Sequence, residues 1–250
     1  MWSISAIAVI IIGWQVVTTE GLVPQYMLPS PVAVVKAFIN EFPLLMEHTG
    51  VTLLEAFIGL GVGTTTGFVM AVLMDRFNKI YKACYPLVVI TQTIPTVAIA
   101  PLLVLWFGYE MLPKVILIVI VTFFPIAIGL LDGFRCADQD AIRLLQSMGA
   151  SKGQIFWYIK LPGASTHFFA GLKIAAAYAI VGAVISEWLG GFLGLGVYMI
   201  RVKKAFAFDK MFAVIFLISI LSLLLMKLVE IVHKKCTPWE SENLTKNIRK

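Results

Sequence analysis

The stretch from Asp140 to Pro162 is polar and helix-forming, lies between two apolar runs, and holds the densest group of residues with a readable local chemistry. Asp138 or Asp140 can accept from the first free amides of a short helix, on which Ile142, Leu145 and Met148 recur at three-residue spacing and share one face. Gly149 stops that helix, as a left-handed backbone position requires. The hydroxyl of Ser151 and the amide of Gln154 then form the S-x-x-Q pattern, in which each side chain takes a free backbone amide of the other residue. A second short helix carries Ile155, Phe156 and Ile159, and Pro162 ends it because proline has no amide hydrogen and its ring meets the preceding turn. Two short helices with a glycine elbow and exposed apolar residues make a knob suited to a groove on a soluble partner.

A second set of polar groups sits inside apolar runs. Glu187 is the most costly, since a carboxylate at mid-membrane is unfavourable by at least ~2.5 kcal/mol. A place on a solute path and a structural pairing with Lys173 or Arg201 are both open to it. Gln92, Thr93 and Thr96 bring further polar groups into an apolar run where Pro95 and Pro101 free backbone carbonyls, so they can line a path or hydrogen-bond between helices. Tyr178 and Ser186 can face the same path or serve as packing partners. Gly59, Gly61, Gly63 and Gly67 have no strand before them and no Gly-Lys-Ser/Thr follows, so they read as a close-packing stripe and not a nucleotide loop. His48, His167 and His233, and Cys84, Cys136 and Cys236, lack companions at metal-ligand spacing, which leaves no metal or redox role for them.

The elements that position these residues follow from composition. The chain has 250 residues, 60% hydrophobic and 14% charged, with a mean hydropathy of +0.91. So much apolar surface cannot be hidden in one soluble core, and the chain reads as an all-α integral membrane protein. About six spans can be marked, at residues 2–19, 51–74, 83–107, 112–131, 168–189 and 211–232, each near the ~20 residues that cross a bilayer. The first lacks a basic leader and a small-x-small cleavage site and reads as a retained helix. Pro31–His48 gives a short amphipathic helix on the outer face, and Gly190–Gly196 a flexible loop that can serve as an outer gate. One domain covers residues 1–233, with the island within about 135–163, and residues 234–250 form a cytoplasmic tail.

With the N-terminus inside, inner segments collect Arg76, Lys79, Lys82, Arg135, Arg143, Lys152, Lys160, Lys234, Lys235, Lys246, Arg249 and Lys250. Outer segments hold Lys36, Lys114, Arg201, Lys203, Lys204 and Lys210. This bias places the island in the cytoplasm. The net charge of +6 is spread over these flanks with no phosphate-tracking stripe, so nucleic acid is not an expected partner.

At Gly149, Ile159, Leu161 and Pro162 the chain resembles the G-x9-I-x-L-P half of the coupling-loop signature of ABC importer permeases. Tyr26–Pro31, Gln92-Thr93-Ile94-Pro95, Ala100–Leu103 with Trp106-Phe107-Gly108, Phe123-Phe124-Pro125 and Glu187–Gly190 with Gly194-Leu195-Gly196 are similar to the sulfonate, taurine and nitrate branch of these binding-protein-dependent permeases. One departure is that the family's Glu-Ala-Ala falls on Arg143-Leu144-Leu145. The resemblance implies a type I importer permease fold, working as a pair of permease copies. Two ATP-binding subunits would dock on coupling loops through Asp140, Leu145, Met148, Gly149, Ala150, Ser151, Ile159, Leu161 and Pro162. It also implies an extracellular substrate-binding protein, and ATP and magnesium held by the ATPase subunits with no cofactor in this chain. The wording around Leu131-Asp132-Gly133, Ser147–Ala150 and Gly182–Trp188 looks most like permeases for thiamine-precursor pyrimidines, with sulfonate or nitrate-type anions as the alternative. An ion-driven secondary transporter would show two related halves, and a membrane enzyme a convergent set of acid, base or metal groups; neither pattern is present in the sequence.

Overall fold

The computed structural model describes residues 2–238 apart from Leu22, Gln25 and Tyr26. Tyr26 of the outer motif, Trp239, and the basic Lys246, Arg249 and Lys250 of the expected tail therefore lie outside the described residues. Helix α1 spans Trp2–Thr19, α2 Pro31–Asn40, α3 Phe42–Arg76, α4 Asn78–Thr91, α5 Thr96–Phe107 and α6 Met111–Arg135. The island follows as α7 Gln139–Ser147, α8 Lys152–Ile155, a π-helical turn at Phe156–Lys160 and α9 Leu161–Gly163. Then come α10 Ser165–Trp188, α11 Leu195–Lys204 and α12 Phe208–Cys236.

Four helices, α3, α6, α10 and α12, are long and apolar enough to cross a membrane, and α4 with α5 make a fifth candidate. The expected span at 83–107 is not one helix, because α4 and α5 meet at 99°. Pro95 cannot donate to the ladder and sits extended at φ −61°, ψ 120°, while the amides of Gln92 and Thr93 close the end of α4 on Val89 and Ile90. The separate outer helix expected through His48 also differs. It ends at Asn40, and α3 starts at Phe42 because Pro43 is tolerated in a first turn and Leu45 is buried against Leu195, Tyr198 and Val214. Ser30 caps α2, accepting from the Ala33 amide at 3.2 Å. Helix α1 is apolar and 18 residues long, with the bounds of the expected first span. It is tethered by Trp14, whose indole donates to the Pro29 carbonyl at 3.0 Å and packs on Phe212 and Phe216.

Helix α6 is the centre of the bundle, packed along both α3 and α10. Close approach depends on small residues. A Cβ on Gly59 or Gly63 would land on Ile118 or Thr122, and one on Gly67 would sit 3.0 Å from the Phe123 carbonyl. Gly61 faces open space, so three of the four glycines form the stripe. Ile118, Ile126, Leu130, Ala176, Ala179 and Ile180 fill the core between these helices.

The helix ends sort into two sets. Arg76, Arg135 and the island share one end, where Lys160 meets Asp75 and Arg135 lies 4.4 Å over the Tyr81 ring. The other end holds Glu41 paired with Lys210, and the Tyr109 ring against Gly190.

Candidate functional site

The island at the basic end forms by local rules. Asp138, not Asp140, caps α7, accepting from the amides of Asp140 at 2.9 Å and Ala141 at 3.2 Å. Gly149 takes φ +82°, and the amides of Gly149 and Ala150 bond to the carbonyls of Gln146 and Leu145, which is a Schellman stop. The Ser151–Gln154 box is closed in both directions, at 2.7 and 3.3 Å. Pro162 does not end the second helix. The Leu161 amide bonds back five residues to the Phe156 carbonyl, and this π-turn loosens the ladder just ahead of Pro162, which falls in the first turn of α9.

The expected docking residues divide by exposure. Ile142 is buried against Ala137 and Ile155, with Leu145, Ala150 and Ile159 packed around them. Met148 does not share that face. It caps α7 and is 74% exposed, so the elbow Met148–Ser151 projects from the bundle. Asp140 is exposed and lies 3.6 Å from Arg143, the residue standing where the resemblance places a glutamate. Leu161 and Pro162 border a small apolar crevice with Phe68 and Phe168.

Three contacts stitch the island to the bundle. Lys160 reaches both oxygens of Asp75 on α3 at 2.6 and 2.9 Å, and the Phe156 ring packs 5.3 Å from that of Phe134 on α6. Ala164, at the entry to α10, sits so close to Gly133 that a Cβ there would be 2.7 Å away.

The polar residues expected on a path split into two groups. Gln92, Thr96 and Tyr178 line one cleft of about 200 Å³ between the broken α4–α5 pair and helices α6 and α10. Thr91, Val181 and Ile185 complete its wall, and no charged side chain borders it. Gln92 and Tyr178 also border a neighbouring cleft of about 320 Å³ that continues to Asp132 and His167. Thr93 is exposed beside these clefts, its hydroxyl donating to the Ile90 carbonyl at 2.8 Å.

Ser186 and Glu187 are elsewhere, inside the protein. Ser186 donates to the Ala183 carbonyl at 2.7 Å. Glu187 accepts from the Thr52 hydroxyl at 2.7 Å and from the Gly196 amide at 2.6 Å, and is only 1% exposed. Neither Lys173 nor Arg201 is its partner; Lys173 lies 3.6 Å from Glu230. Around this carboxylate, the Leu195 amide donates to Thr52 at 2.9 Å and the Gly194 amide to His48 Nδ1 at 2.9 Å. Three backbone amides at the start of α11 thus end on side chains of α3 and α10. Lys114 of α6 joins Glu55 of α3 at 2.6 Å nearby. His48, Thr52 and Glu55 fall at i, i+4 and i+7 on one face of α3, a periodic signal that could have marked them together, whereas Lys114 of α6 carries none. His48 is fully buried. Among the described residues no group of three or more His, Cys, Asp or Glu is arranged to hold a metal.

Residues 63–238 match the family described as binding-protein-dependent transport system inner membrane component. A probable ABC transporter permease protein of Haemophilus influenzae is 39% identical over 219 residues, 88% of this chain and 89% of its own length. The formylaminopyrimidine transport permease protein ThiX of Halalkalibacterium halodurans is 35% identical over 230 residues, 92% of each chain. A solved amino acid ABC transporter chain superposes with a TM-score of 0.66 over 79% of this chain and 96% of its own, at 16% identity, which shows a common fold.

Proposed function

The chain belongs to the family of inner-membrane components of binding-protein-dependent ABC importers, in the branch that includes sulfonate, taurine and nitrate permeases, and from that premise we propose how it works and what it carries. It is a multi-pass permease subunit with the type I importer fold. Two copies form one path, two separate ATP-binding subunits dock on the cytoplasmic islands, and an extracellular binding protein delivers the solute. ATP and magnesium reside in the docked subunits. The N-terminus, the island and the C-terminal tail face the cytoplasm, following the bias of basic residues.

The observation that supports the docking role is the projecting elbow Met148–Ser151 on an island stitched to α3 and α6 and running on into α10 through Ala164. Closure of the ATPase pair pushes on the elbow, and Lys160–Asp75, Phe156–Phe134 and Ala164–Gly133 pass that push to α3, α6 and α10 together. The same three helices are clamped at the opposite end by Glu55–Lys114 and Thr52–Glu187. They rock as one body. Gly149→Arg tests the docking role without a clash, since nothing lies within 4 Å of a Cβ there, but its φ of +82° strains the elbow, so Met148→Arg, on a 74% exposed side chain, is made beside it. ATPase co-purification and uptake should both fall; if both survive, the elbow is not the docking point.

The solute is a small neutral or weakly basic heterocycle of the thiamine-precursor pyrimidine class. The support is the cleft of Gln92, Thr96 and Tyr178, which offers hydrogen bonds, an aromatic face and no fixed cation. An aliphatic sulfonate or nitrate-type anion would call for Lys or Arg, and neither of the two candidate cations within the spans, Lys173 or Lys227, lines the cleft. Uptake of formylaminopyrimidine and of taurine, compared in vesicles holding the permease with its ATPase and binding protein, separates the two. Saturable uptake of taurine alone would reverse the assignment.

A further inference from the structure

At the basic end a cavity of about 770 Å³ opens between the island and the ends of α3 and α6. Phe156 and Trp157 give it an accessible apolar wall, with Phe134 and Ile155 buried behind, and Arg76, Arg135 and Lys152 line it as well. The one acid lining it, Asp75, is already taken up by Lys160 at 2.6 and 2.9 Å. Arg135 rests on the Tyr81 ring with Asp132 one turn behind it, and among the described residues Arg76 and Lys152 are in none of the ion pairs.

We propose that this cavity binds one anionic glycerophospholipid, with its phosphate held by Arg76, Arg135 and Lys152 and its glycerol and first methylenes against Phe156 and Trp157. A free phosphate would use the cations and leave the apolar wall against water. An amphiphile uses both. Arg76 and Arg135 are the last residues of membrane-length helices, which is the depth at which lipid headgroups lie. Because Gln139 and Lys152 of the island also line the cavity, a lipid seated there ties the island to α3 and α6 alongside the Lys160–Asp75 pair, which lines the same cavity.

The full chain, purified and delipidated in detergent, is titrated with phosphatidylglycerol or phosphatidylcholine and read by native mass spectrometry. One phosphatidylglycerol per chain should bind at least about tenfold more tightly than phosphatidylcholine, since each basic group near a membrane surface favours an anionic lipid. In Arg76→Gln/Lys152→Gln that preference should vanish, while Lys203→Gln/Lys204→Gln, at the opposite end, should keep it. Equal binding of the two lipids, or a preference that survives the Arg76→Gln/Lys152→Gln change, overturns the proposal. Displacement of the lipid by millimolar inorganic phosphate would mark a free-anion site and overturn it equally. The readout is binding, so the outcome is independent of whether the elbow docks an ATPase.

Discussion

Thr52 and Glu187, 135 positions apart, join α3 to α10 through a 2.7 Å hydrogen bond in the interior of the protein. Both side chains also take an amide from the first turn of α11, Glu187 from Gly196 and Thr52 from Leu195. The carboxyl group lies at the N-terminus of α11 and takes up one of its free amides. The Gly190–Gly196 segment, glycine-rich enough to read as a loose gate, has its second half fastened to the helices beneath it. Opening at this end therefore carries α11 along with α3 and α10.

Removing the carboxylate leaves the Gly196 amide and the Thr52 hydroxyl without their buried acceptor. Glu187→Ala should lower stability by about 1–3 kcal/mol and speed amide exchange at Gly194–Gly196. Combined with Thr52→Val, the loss should be smaller than the sum of the two single losses, because both act through one network. Thermal unfolding in detergent measures the cycle. Full additivity would mean that the two residues act independently.

Gly194 has a stricter requirement than the loop composition alone implies. Its φ is +127°, and a Cβ there would collide with the Glu187 carboxylate. Gly194→Ala should cost more than Glu187→Ala and should be partly rescued when both changes are combined, since removing the carboxylate relieves the collision but not the backbone strain. Gly61→Ala, on an open helix face, should be neutral or stabilise by up to about 1 kcal/mol. Yields of folded protein and unfolding midpoints of the four variants check this order.

The contrast between these residues and the island explains what was legible in the sequence. The Gly149 stop and the Ser151–Gln154 box each act within about five residues, so residue type and spacing are enough to place them, whereas the cap of α7 is open between Asp138 and Asp140 in the sequence and the amide contacts decide it. Pro95 was equally visible, but whether it kinks a span or breaks it depends on what packs around Gln92–Ile94, and the chain turns by 99°. Thr52–Glu187, Glu55–Lys114 and Lys160–Asp75 join residues 135, 59 and 85 positions apart. A lone polar residue in an apolar helix looks the same in sequence whether it faces a path or a buried partner. Tyr178 and Glu187 therefore read alike, yet one borders the cleft and the other the interior.

Tyr198 on α11 supplies an alkaline test of the same end. Burial, and then the nearby Glu41 carboxylate, push its phenol up to about 12 from the usual 10. The folded state holds this proton more tightly than the unfolded state does, so the stabilisation is complete below pH 10 and is lost as pH rises from 10 towards 12. Tyr198→Phe, which has no proton to lose, should flatten that part of the stability profile in detergent. An unchanged alkaline slope would mean that other groups govern it.

Lys160 and Asp75 test the transfer of motion and not only stability. Their side chains are 24% and 16% exposed, so the pair is shielded enough to matter, and either partner left alone stays partly buried and unpaired. Lys160→Ala or Asp75→Ala should leave the elbow intact, because the Gly149 stop and the Ser151–Gln154 box lie outside the contact. ATPase subunits should then still co-purify. What should change is the ratio of solute moved to ATP hydrolysed, falling several-fold as the island pushes on α6 and α10 without α3. The reversed pair, Asp75→Lys/Lys160→Asp, should recover part of that ratio, which loss of folding could not do. If both single variants keep the wild-type ratio in reconstituted vesicles, the push travels through Phe156–Phe134 and Ala164–Gly133 alone, and α3 follows α6 by packing along the Gly59, Gly63 and Gly67 stripe.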